Sequence, residues 1–124
     1  MEKIALIAAF GALGTLARYG VATLVQRNFQ SGFPYGVMAA NLVGSLLFGV
    51  VWSLSEEKGW IGENARVIIL VGFMGAFTTF STFAFDNVQL ARASQWAWLA
   101  LNLVVTNIAG VALVFVGFRL GKLV

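Results

Sequence analysis

The sequence predicts an all-α membrane protein with four transmembrane helices, the third broken near its middle. Three observations predict this. The chain is 60% apolar and 10% charged, with mean hydropathy +0.88, whereas soluble domains carry roughly 25% charged residues. That leaves too little polar surface to coat a water-soluble globule. The apolar residues fall into runs of about 20, the length a helix needs to cross a hydrocarbon core of about 30 Å. One run contains a stretch unlike the others, Gly72 to Asp86, reading G-F-M-G-A-F-T-T-F-S-T-F-A-F-D. Its glycines and threonines weaken helical continuity.

Taken in order, the spans are Ile4–Val25, Pro34–Leu54, Val67–Leu90 and Trp96–Leu120, forming a single transmembrane domain over residues 1–124. Met1-Glu2-Lys3 precedes an apolar run that continues past Arg18 to Val25, so the first segment reads as a span and not as a cleaved signal peptide. Pro34 fits the first turn of the second helix, where a missing N–H costs nothing. Trp52, Trp60, Trp96 and Trp98 fall near span ends, as an interfacial aromatic belt requires. With no cysteine and no histidine, disulfides, Cys/His zinc sites and imidazole acid–base chemistry are excluded. The net charge of +3 is scattered over segment ends, with no basic run, so no nucleic-acid partner is expected.

Four spans place both termini on one membrane face together with the loop from Ser55 to Arg66. Lys3, Lys58, Arg66, Arg119 and Lys122 lie on that face, and Arg27 and Arg92 on the other, with Arg18 leaning toward it. This is a weak lean toward cytoplasmic termini, and so weak a bias permits insertion in both orientations.

Each span carries residues that do not belong in lipid. Arg18 lies seven residues short of Val25, about 10 Å along a helix, close enough to snorkel to the interface or to stand at the vestibule of an anion path. Asn41 and Ser45, spaced i, i+4, share a face; the asparagine amide either joins helices or offers N–H donors. In the third span, unwinding from Gly75 to Thr79 would free carbonyls to coordinate a cation, as interrupted helices do. Beyond it Phe80 and Phe83 lie three apart beside Ser81 and Thr82. Ring edges are electropositive and hydroxyls donate, so these residues suit a small anion, although a packed aromatic stripe of Phe73, Phe77 and Phe80 explains the same spacing. Asn102, Thr106 and Gly110 recur every four residues in the last span, and Gly117 and Gly121 form a G-x-x-x-G pair. Polar stripes on several helices are too much to leave facing lipid, and a homo-oligomer is expected.

Gly72-Phe73-Met74-Gly75 followed by Thr78-Thr79-Phe80-Ser81-Thr82-Phe83 resembles the signature of the small bacterial fluoride channel family (Fluc, also called CrcB). Gly14-Thr15-Leu16-Ala17-Arg18-Tyr19, Pro34-Tyr35-Gly36 and Asn41-Leu42-Val43-Gly44 agree with it, and the resemblance covers essentially the whole chain. It implies a multi-pass protein of the bacterial inner membrane that forms an antiparallel, dual-topology homodimer. Two pores would export fluoride passively, and a structural sodium ion would be held at the dimer centre. Gly75 and Thr78 would give carbonyls to sodium, and Phe80 and Phe83 would form an aromatic box. Asn41 would donate to fluoride, Ser81 and Thr82 would join a polar track, and Arg18 would match an arginine near the entrance. The chain departs from the family pattern at Ala84 and Asp86, where serine and glutamate are frequent, at Val37 for threonine, and at Val111 for serine. Thr106 and Asn107 are the polar groups at hand to replace them.

A small proton-coupled multidrug transporter is the alternative of similar size. Such a carrier needs a titratable carboxylate within a span, and the only candidate, Asp86, lies near the end of the third. A non-transporting assembly subunit would account for the glycines and asparagines but not for the hydroxyl-rich break. No acid pair, nucleophile–base pair or metal cluster supports an enzyme.

Overall fold

The computed structural model describes residues 1–124 as helices joined by short loops. Helix α1 runs Glu2–Phe29, α2 Tyr35–Glu56 and α5 Trp96–Leu123. Between them α3 is helical over residues 63–77, and α4 covers Phe80–Arg92. Four helical segments, Glu2–Phe29, Tyr35–Glu56, Glu63–Arg92 and Trp96–Leu123, are long and apolar enough to cross a membrane. α1 outruns its expected span because helix geometry does not stop at the edge of the apolar run. Glu2 in its first turn and Arg27 in its last complement the helix dipole. Pro34 takes the capping position and not the first turn, with ψ 62, and its carbonyl accepts from the Met38 N–H at 3.1 Å.

The third span is interrupted, but over a shorter stretch than expected. Gly75–Phe77 remain helical, and only Thr78 (φ −91, ψ 157) and Thr79 (φ −149, ψ 118) are extended. β-Branched side chains favour that backbone. Thr78 also closes α3 itself, because its N–H and its hydroxyl both donate to the Met74 carbonyl at 3.0 Å. Before the interruption, Ile68–Met74 widen into π-helix, a bulge that often accompanies functional positions.

Close backbone approach holds the helices together. α2 packs along α5, and α1 along the π-helical part of α3. A Cβ on Gly117 would collide with the Leu46 carbonyl oxygen, and one on Gly14 with the Phe73 carbonyl. Small residues that let backbones meet are the usual packing device in membranes, where apolar side chains gain little by leaving lipid. Only 17 of 124 residues are buried within the chain, so most side chains of α1 and α5 face outward.

The two ends of the bundle are tied differently. At one, Lys122 pairs with Glu57 at 3.2 Å. There Arg66 pairs with Glu56 and lies 4.7 Å above the Trp52 ring. The C-terminus and the loop after α2 therefore share an end, as four spans require. At the other, the Gln26 amide donates to the Ser31 and Phe33 carbonyls and accepts from the Gly36 N–H. That clamp fixes the loop so that Phe33 is buried edge-on against Trp98.

Gly117→Ala should lower the thermal midpoint in detergent, by an overpacking cost of about 1–3 kcal/mol. Gly20→Ala, where a Cβ meets nothing within 4 Å, should not; the opposite order would remove the packing role.

Candidate functional site

The site is built at the interruption of the third span. Thr79 caps α4: its Oγ1 accepts from the Thr82 N–H at 3.2 Å, a typical N-cap bond. The Asn41 side chain, 38 residues earlier in the chain, meets the Thr79 backbone with both ends of its amide. Its Oδ1 accepts from the Thr79 N–H at 2.8 Å, and its Nδ2 donates to the Thr79 carbonyl at 3.2 Å. Asn41 thus replaces the helical partners that an interrupted backbone loses.

These two side-chain acceptors have a further effect. In a continuous helix the Thr79 N–H would bond the Gly75 carbonyl, and the Thr82 N–H the Thr78 carbonyl. Both donors are diverted, one to Asn41 and one to Thr79 Oγ1. The Gly75 and Thr78 carbonyls accept none of the turn, loop and cap bonds. They are hard oxygen ligands of the kind alkali and alkaline-earth cations take. No cluster of three or more His, Cys, Asp or Glu exists, so carbonyls are the metal-ligating chemistry at hand. Gly75 is exposed on the surface of the chain and Thr78 half-buried.

On the other side of the interruption, Phe80 and Phe83 open α4 with ring centroids 6.1 Å apart at 51°. Phe83 is 8% exposed and Phe80 79%. Both line a cavity of about 330 Å³ shared with Asn41, Ser45, Thr78, Thr106 and Asn107. The anticipated pairing of Asn41 with Ser45 holds: Ser45 Oγ donates to the Asn41 carbonyl at 2.8 Å, and both line this cavity. The Phe80 and Ser81 N–H groups, first in α4, donate none of the loop bonds, so the positive end of the helix dipole is open here.

Not every anticipated residue joins this cavity. Arg18 and Thr82 line a separate one of about 230 Å³ on the α1 side, with Thr79 common to both walls. Arg18 takes part in neither ion pair. Ser81 is exposed and lines neither. The stripe of Phe73, Phe77 and Phe80 divides: Phe73, half-buried, and Phe77, buried, stack at 5.8 Å, and Phe80 turns away. Asp86 lies in a third cavity of about 350 Å³ with Gln89, Gln95 and Trp98, and its Oδ2 is buried without a partner.

Two features escaped the sequence reading. One is the capping role of Thr79, signalled by a threonine directly before the first residue of α4. The other is a buried chain in which Asn102 Nδ2 donates to Asn87 Oδ1 at 2.8 Å and Thr106 Oγ1 donates to Asn102 Oδ1 at 3.2 Å. The i, i+4 spacing of Asn102 and Thr106 signalled half of it, whereas nothing local points to Asn87.

Fold and site together define a polytopic membrane protein whose discontinuous helix opens onto a polar, aromatic-lined cavity. The chain belongs to the CrcB-like family: residues 5–118 match the family described as "CrcB-like protein, Camphor Resistance (CrcB)". It is 46% identical over 123 residues to the "Fluoride-specific ion channel FluC" of Nitrosococcus oceani, covering 99% of this chain and 98% of that one. The protein of the same name from Nitratidesulfovibrio vulgaris is 46% identical over 124 residues, covering 100% of both chains. That from Parabacteroides distasonis is 39% identical over 122 residues, 98% of this chain and 94% of that one. The family and the four apolar helices make this a multi-pass bacterial membrane protein and not an enzyme.

Asn41→Leu should lower the thermal midpoint strongly, because it leaves the Thr79 N–H and carbonyl unpaired at a cost of about 2–4 kcal/mol. An unchanged midpoint would remove Asn41 from the break.

Proposed function

We propose that this chain forms a fluoride-selective channel that lets the ion leave the cell down its electrochemical gradient. One observation carries the reading: a free Asn41 N–H and the Phe80 and Phe83 rings converge on a single cavity at a helix break. Fluoride is small, strongly hydrated and solely an acceptor, so dehydrating it requires donors and electropositive ring edges. The relatives' name supports the choice of ion.

The working unit is an antiparallel homodimer with two pores. Gly75, Phe80, Ser81 and Asn107 are all exposed on one protomer, and a second copy covers them without leaving polar groups in lipid. At the dimer centre the Gly75 and Thr78 carbonyls of each copy hold a structural sodium ion, which one protomer's pair could not enclose alone. The sodium would offset carbonyl dipoles that otherwise face one another. Ser81 and Thr82 continue the polar track beyond the box, and Arg18 supplies a fixed positive charge toward the vestibule.

Vesicles loaded with fluoride and reconstituted with the full chain should release it far faster than they release chloride; equal rates would overturn the selectivity. Phe80→Ile or Phe83→Ile should lower fluoride release at least about three- to ten-fold while the protein still elutes as the wild-type oligomer. A change in elution with unaltered flux per oligomer would assign the rings to packing.

The sodium proposal is tested separately. Exchange of sodium for N-methylglucamine during purification should lower the thermal midpoint and the fraction of dimer recovered by cross-linking, and restored sodium should reverse both. Indifference to the exchange would exclude a structural sodium.

A further inference from the structure

The geometry points to a cation site at the end of the bundle where the α1–α2 loop meets the α4–α5 turn. It is built around Asp86 and suits a hard divalent ion that keeps much of its water shell. Asp86 Oδ2 is buried without a hydrogen-bond partner, and Asp86 enters neither ion pair of the chain. The residue lines a cavity of about 350 Å³ to which no lysine or arginine contributes. A carboxylate oxygen withdrawn from water with no positive group beside it is costly, and a cation bound there removes the cost.

The other walls supply further oxygens. Gly32 comes from the α1–α2 loop, Gln89 and Ala93 from α4 and its end, and Gln95 from the turn before α5. The Gln26 amide takes the Ser31 and Phe33 carbonyls and passes over that of Gly32 between them. The Gly32 and Ala93 carbonyls accept none of the turn, loop and cap bonds. Gln89 and Gln95 are exposed, so either can swing an amide oxygen toward Asp86.

One carboxylate with carbonyl and amide oxygens is a hard ligand set. The chain has neither cysteine nor histidine to hold a softer metal. Liquid water occupies about 30 Å³ per molecule, so the cavity has room for an ion with several waters. Calcium asks for about six to eight oxygens, whereas magnesium keeps its waters and is held through one or two carboxylates. The single carboxylate and the roomy cavity therefore fit magnesium better. Bound there, the ion would tie the α1–α2 loop to a turn in which Ser94 holds a left-handed backbone, φ 56. Asp86 lies seven residues beyond Thr79, roughly 10 Å along α4, so this site is separate from the sodium proposed at the break. It does not depend on which ion the protein transports.

The test uses the full chain in detergent, stripped with EDTA and titrated with magnesium chloride at fixed sodium. Choline chloride of equal ionic strength is the comparison, and the thermal midpoint is read. Magnesium should raise the midpoint saturably, by at least about 2 °C, with half-saturation near about 1 mM, the weak end of carboxylate sites. Asp86→Asn should abolish the response. Glu63→Gln, which alters an exposed acid outside the cavity, should respond as wild type does. If Asp86→Asn fails to elute with the wild type, Gln95→Leu carries the comparison and should raise the half-saturation at least about three-fold. A wild type that responds to magnesium no more than to choline would overturn the site. So would an Asp86→Asn, or in its place a Gln95→Leu, that titrates as wild type does, or a response lost in Glu63→Gln.

Discussion

Two backbone N–H groups, those of Thr79 and Thr82, bond to side chains when a helix would have bonded them to carbonyls, and the rest of the site follows from that substitution. Breaking a helix in lipid is costly because each unpaired backbone group has no water to turn to. Asn41 and Thr79 remove that cost for the Thr79 and Thr82 N–H groups, with two acceptors set at 2.8 and 3.2 Å. The Phe80 and Ser81 N–H groups stay open at the start of α4. On the acceptor side the cost is uncompensated, at Gly75 and Thr78. The interruption is therefore asymmetric by construction. Its N–H groups are satisfied or aimed at the start of α4, and its carbonyls stay open at the end of α3.

That asymmetry separates charge over a few ångströms. The end of a helix carries partial negative charge and the beginning of one partial positive charge, and here both lie at the same depth. A cation is favoured at the first and an anion at the second. Phe80 and Phe83 stand on the positive side because they are the first and fourth residues of α4. Displacing the break by one residue would rotate them about 100° around the helix and away from Asn41. The register of the break thus decides which groups face the cavity, and Thr78 pins it by closing α3 with its own hydroxyl on Met74.

The spans were legible from length and hydropathy, and the existence of the break from the density of threonine and glycine in the third. Its limits were not. Propensity marked Gly75 as the first unwound residue, yet Gly75–Phe77 stay helical. Glycine inside a packed transmembrane helix is tolerated where close approach matters, and the bond that ends α3 comes from a side chain. Asn41 was legible as a polar residue in a span, but its partner was not, since a contact across 38 positions leaves no local trace. The same limit hid Asn87. Thr106 and Asn107 looked equivalent as neighbouring polar residues, yet Thr106 donates to Asn102 Oδ1 and Asn107 to the Leu103 carbonyl of its own helix. Only the direction of their hydrogen bonds separates them, and direction belongs to tertiary structure.

The break and the proposed dimer are one physical problem. Phe80 is 79% exposed on the protomer, and lipid would receive that ring without penalty. It would not receive the adjacent carbonyls of Gly75 and Thr78 or the exposed amide of Asn107, which need polar surroundings. A four-helix protomer with 17 buried residues has too small an interior to enclose them itself. Folding α4 back over the cavity would supply cover, but it would break the Asn41 clamp that makes the interruption affordable. What remains is cover from outside the chain by a surface carrying matching polar groups at the same depth. The proposed second copy in inverted orientation would meet that condition if its break opposed this one at the same depth. On this argument the weak charge bias of the loops is part of the design: a strong bias would orient every copy alike and leave the carbonyls of both without an opposing partner.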